Sequence, residues 1–151
     1  MSGDDDIRAF LMAKKVADFR WRWTVANHPD YAAARSRLHA VGTSLPHGRL
    51  IVQAHLNRMP YKYSFSIVFR KQNIFRLDVE PGLTHRRTTI LKPINGTHWQ
   101  MWPDMGCAEP DDRNLGWTGW LDSFLRRAKI ELRHPLLMPP FKTKEQLGLE
   151  I

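Results

Sequence analysis

Cysteine is almost absent: Cys107 is the single one in 151 residues. No disulfide can form within the chain, so the fold must rest on its core, as suits a reducing compartment. Long apolar runs are missing too. No stretch approaches the ~20 apolar residues of a membrane-spanning helix. Met1-Ser2-Gly3-Asp4-Asp5-Asp6 carries the charge opposite to a secretory leader, with no apolar segment behind it. These absences lead to the expectation of a cytoplasmic protein with no membrane partner.

Catalytic and cofactor signatures are equally scarce. There is no Walker A loop, no dinucleotide fingerprint and no Gly-x-Ser-x-Gly elbow. No Cys/His spacing suits zinc. Cys107 lies in an acidic stretch, which raises a thiol's pKa and argues against a nucleophile. Asp104, Glu109, Asp111 and Asp112 fall in one connector; Asp111 and Asp112 read as residues flanking a helix start rather than as cation ligands. Neither a metal nor a cofactor is expected.

What the chain has is an ordinary globular composition, 42% hydrophobic and 25% charged, with six Trp. Rings of that size are costly to leave wet, so most should anchor a core. The length suits a single α+β domain over residues 1–140, followed by a loose tail at 141–151. The net charge is +8, and it is unevenly placed: residues 49–102 hold nine Lys/Arg against Asp78 and Glu80, a local +7. An asymmetry of this kind points to a polyanionic partner.

Periodicity divides the chain. The acids at positions 4–6 precede apolar residues at helical spacing (Ile7, Phe10, Leu11, Ala17, Trp21), with Met12, Val16, Phe19 and Trp23 on a second side. This predicts a helix through Trp23, apolar on two sides and in need of cover. A competing strand reading rests on the alternation of Phe19 to Val25. Pro29 and Gly42 bracket an Ala-rich Tyr31–Val41 stretch that reads as a second helix. From Leu50 the period becomes two. Tyr61, Tyr63, Phe65, Ile67 and Phe69 alternate with Lys62, Ser64, Ser66, Val68 and Arg70. A turn at Lys71-Gln72-Asn73 leads to Phe75, Leu77 and Val79, and strands at Thr88–Lys92 and Thr97–Trp102 flank an Asn-Gly turn. Trp117, Trp120, Leu121, Phe124, Leu125 and Ala128 then mark a one-faced helix. The expected fold is an antiparallel meander of four or five strands, with N-terminal helices and this C-terminal amphipathic helix packed on its aromatic face.

The other face would carry the chemistry. Arg58, Lys62, Arg70, Lys71, Arg76, Arg86 and Arg87 are candidate phosphate contacts, with Trp102 as a stacking ring. No helix-turn-helix is evident, so RNA or a ribonucleoprotein is a better partner than duplex DNA. Two rivals accompany this reading. One is a protein-interaction subunit or inhibitor docking on an acidic surface, suggested by the two-sided first helix. The other is a metal-independent ribonuclease using His85 and His98 as acid and base. A solvated sheet face in a protein without such a partner also carries Lys, Ser and Thr.

Overall fold

The computed structural model describes residues 3–18, 20–25, 29–57, 61–81 and 96–142. Helix α1 runs Gly3–Met12, its first turn holding Asp4, Asp5 and Asp6 beside the positive end of the dipole. Ile7 and Phe10 are its inward apolar residues. The helix stops at Met12, eleven residues short of Trp23, where lysines meet its last carbonyls. Lys15 Nζ donates to the carbonyl oxygens of Phe10 (3.0 Å), Leu11 (3.0 Å) and Ala13 (2.7 Å). Lys129 Nζ donates to that of Met12 at 3.2 Å. Lys15–Ala17 then forms strand β1, and Thr24–Val25 forms β2. The two-sided helix is therefore not present, and with it goes the feature that favoured a protein partner.

The second expected helix is a strand. Tyr31–Ala40 is β3, paired from Tyr31 to Leu38 with β4 (Gly48–His55) and at its end with β1. Alanine prefers a helix, but Ala32, Ala34, Leu38 and Ala40 are all buried. With buried Ser36 they occupy every second position, so a strand places them together on the core face. Tertiary pairing overrides local propensity here.

β5 (Lys62–Phe69), β6 (Gln72–Val79), β7 (His98–Met101) and β8 (Glu109–Pro110) continue the sheet. After α2 (Gly116–Ala128), β9 (Ile130–Leu132) returns to pair in parallel with β1. The order is β8-β7-β6-β5-β4-β3-β1-β9, with β2 also pairing β3. The expected meander is thus the middle of a mostly antiparallel sheet with nine strands among the described residues. The hairpin between β5 and β6 turns at Arg70 and Lys71, both at positive φ (51° and 62°), one residue earlier than the polar triplet suggested. Such a two-residue turn matches strand twist. A bulge follows, since Ile67 faces Phe75 while Val68 faces Asn73. The extra residue, Ile74, is buried beside Phe75. The strand expected at Thr88–Lys92 lies outside the described residues.

Both helices pack on one face. Phe10 of α1 stacks on Phe69 with ring centroids 4.4 Å apart. Phe124 of α2 meets Phe65, Phe75 and Trp99 at 5.2, 5.3 and 6.2 Å. The helical spacing from Trp117 to Ala128 therefore serves as expected. Asp111 does not cap α2; it accepts from the Trp99 indole (3.0 Å) and from Arg113. Of the tail expected from residue 141, the two described residues are docked: Phe141 stacks on Tyr61 at 4.1 Å, and the Lys142 amide donates to the Leu56 carbonyl. No helix among the described residues is long and apolar enough to cross a membrane.

Candidate nucleic-acid interface

The second sheet face is built by register. Reading across the strands, Tyr31, His55 and Lys62 form one row; Ala33, Gln53, Ser64, Asp78 and His98 form the next. Arg35, Ile51, Ser66, Arg76 and Gln100 make a third, and Arg37, Arg49 and Val68 a fourth. The middle of β5 contributes the short hydroxyls Ser64 and Ser66, so longer side chains on β3, β4 and β6 rise around it. Two hollows result.

The first, about 350 Å³, is lined by Tyr31, Gln53, His55, Lys62, Ser64, Arg76, Asp78, Glu80 and His98 among others. Its charges are matched. Lys62 Nζ stands 3.3 Å from Glu80. Arg76 binds Asp78 through both Nε (2.8 Å) and Nη2 (2.9 Å). His98 Nε2 lies 3.2 Å from the same carboxylate. Burial alone would raise the Asp78 carboxyl, but hydrogen bonds from His98 and Arg76 outweigh it and hold the group at about 2. The hydrogen bond to Asp78 likewise raises His98, and a contact of 2.7 Å from Nδ1 to the Gly96 carbonyl raises it further. Tyr31 and His55 close the other end with rings 4.7 Å apart. The His55 Nδ1 accepts from the Asn57 amide at 3.3 Å.

The second hollow, about 450 Å³, is lined by Arg35, Ser36, Arg37, His47, Gly48 and Arg49. None of these described residues is a carboxylate. Arg37 and Arg49 are directly opposite each other across β3 and β4, an arrangement of like charges that weakens a sheet. Arg35, Arg37 and Arg49 are exposed at their residues. Neither Arg35 nor Arg49 has an ion-pair partner among the described residues. His47 sits against His39 at 5.4 Å, edge to face. The His39 Nδ1 is buried with no partner among the described residues.

Of the residues singled out from sequence, Lys62, Arg76 and His98 are brought together in the first hollow. Arg70 points elsewhere, pairing with Asp6 of α1 and lying over the Phe69 ring. Trp102 is on the α1 side as well, where the Arg8 guanidinium covers it at 5.2 Å. Lys71 is exposed in the hairpin turn. Arg58, His85, Arg86 and Arg87 lie outside the described residues. His98 has both ring nitrogens engaged, one by Asp78 and one by Gly96. It therefore offers a substrate no free nitrogen in this arrangement. Arg35, Arg37, His47 and Arg49 were missed as site residues because a helix over Tyr31–Val41 scatters the first two. The alternation of Arg35, Arg37 and His39 with Ser36, Leu38 and Ala40 was the available signal.

Compared with protein-family models, with curated proteins and with solved structures, the chain matches none.

Proposed function

We propose that this protein is a nucleic-acid-directed binding module, with single-stranded RNA as the preferred partner and the sheet face opposite the two described helices as the interface. One observation carries the reading: three guanidiniums and His47 line a hollow with no carboxylate among its described residues, and two of the arginines stand opposite each other in strand register. Folding gains nothing from that juxtaposition. An anion placed between the arginines reverses its sign, and a planar guanidinium binds a phosphate through two parallel hydrogen bonds.

A single strand suits the surface better than a duplex. Both described helices turn their apolar sides to the sheet, and the arginine hollow lies on the face away from them. A shallow trough floored by serines and bordered by cations and rings accepts a strand whose bases are splayed, as sheet-based RNA binders do.

The test is a titration of purified protein into labelled single-stranded RNA at low and moderate salt, with the same samples on a denaturing gel. The expected result is binding that weakens steeply with salt and leaves the RNA intact. Absence of binding at low salt overturns the reading, and cleaved RNA would return the ribonuclease alternative to first place.

A further inference from the structure

The two hollows differ in a way that a uniform phosphate track does not explain. The arginine hollow is lined by no carboxylate among the described residues, whereas the neighbouring hollow has its cations matched by Asp78 and Glu80. A phosphate gains little beside two carboxylates. A neutral, planar, hydrogen-bonding group fits there instead, and the volume of about 350 Å³ is at the small end of ligand pockets, which begin at roughly 300 Å³.

Arg76 defines what that group must display. Asp78 takes its Nε and one N–H of Nη2, and Asp78 is itself braced by His98. The guanidinium is thus fixed in plane. Its remaining edge, formed by Nη1 and the second N–H of Nη2, has no partner among the described residues. Two parallel donors on that edge match two adjacent acceptors. Guanine offers such a pair in O6 and N7; adenine offers N7 beside an N6 donor, which opposes a guanidinium. Tyr31 and His55 supply the aromatic wall against which a base packs.

We propose that this hollow is a guanine-reading subsite, with Arg76 as its reader, Asp78 and His98 as positioning residues, and the arginine hollow as the phosphate seat beside it. The inference rests on the single-strand reading above and adds a base preference to it.

The experiment compares short oligouridine RNAs carrying one central guanosine, inosine, 7-deazaguanosine or adenosine, all at low salt. Guanosine and inosine, which share O6 and N7, should bind alike and roughly tenfold tighter than adenosine. The 7-deaza base, lacking N7, should lose most of that preference. Arg76→Lys should level all four affinities while keeping the background binding. Its fold is checked by a thermal melt, and if it does not fold, the four unmodified-protein affinities decide alone. Equal affinities with retained salt dependence overturn the subsite and leave the interface standing. A guanine preference that survives Arg76→Lys in the folded variant also overturns it. No binding to any of the four overturns both.

Discussion

His98 gives Asp78 a second cation: its Nε2 lies 3.2 Å from the carboxylate that Arg76 already grips, while its Nδ1 faces the Gly96 carbonyl. Both ring nitrogens meet acceptors, and only the imidazolium donates from both. Its folded pKa is accordingly raised above 6.5. The stability it contributes is present in full below 6.5 and is lost as pH rises through that raised value. Asp78 has the opposite sign. Held at about 2 against an ordinary 3.8, it contributes above 3.8 and is lost as pH falls through 2, an effect of about 2 kcal/mol. NMR titration of the His98 ring should give a midpoint above 6.5 that falls in Asp78→Asn. A midpoint at or below 6.5 in the unaltered protein would remove this account.

Lys15 presents the reverse case for a base. It is 0% exposed, and desolvation, aided by Lys129, lowers it to about 8. Between 8 and 10.5 the unfolded chain binds more protons at this site than the folded one, so its contribution grows as pH rises through that window and is lost as pH falls through 8. Lys15→Met deletes the group and leaves the α1 carbonyls unmet, at a cost of roughly 1–3 kcal/mol. Urea unfolding of both proteins from pH 7.5 to 10.5 checks this, the comparison cancelling the tyrosines. The unaltered protein should gain on the variant by about 3 kcal/mol across the window. A constant gap contradicts the assignment.

The sheet's aromatic face and α2 were legible because each kept one period over many residues: Tyr63 to Phe69 at two, Trp117 to Ala128 at 3.6. The N-terminal third was not, and the reasons are physical. Ala32, Ala33 and Ala34 fit either element, and only pairing with β4 makes them strand. α1 ends at Met12 through bonds from Lys15 and Lys129, the second of which is 117 residues away in sequence. The parallel return of β9 to β1 joins ends of the chain that no local pattern connects. Misreading β3 hid Arg35 and Arg37, and with them the arginine-lined hollow. His98 and Arg76 were legible as residues, but their shared hold on Asp78 depends on the register of β6 against β7.

Gly48 and Phe10 set the junction of α1 with the sheet. A Cβ added at Gly48 would sit 2.6 Å from the Phe10 ring and 3.1 Å from the Val68 carbonyl oxygen. Phe10 is fully buried and stacked on Phe69, so it has little room to yield. Gly48→Ala should therefore destabilise by about 1–3 kcal/mol through overpacking. Thermal or urea unfolding reads the loss. Gly42→Ala is not a suitable control, because Gly42 has a φ of 75°, but Gly106→Ala, with open space at its Cβ, should change little.

The arginine hollow makes a quantitative demand on binding. Each cation that neutralises a phosphate on a single strand releases counterions and adds about 0.7 to the slope of log affinity against log salt. Arg35→Ala and Arg49→Ala should each lower that slope by about 0.7, with similar losses for every RNA sequence, since a phosphate contact carries no base information. Arg126 is the control: it pairs with Asp122 on α2, on the opposite side of the sheet from the hollow. Arg126→Ala should leave the slope unchanged. Removing Arg49 also relieves the like-charge contact with Arg37, so the free protein should become slightly more stable as it loses affinity. That pairing of outcomes separates a binding residue from a structural one, because a structural arginine would cost stability when removed. If all three variants reduce the slope equally, the charge acts through the field of the whole protein and the hollow is not the seat.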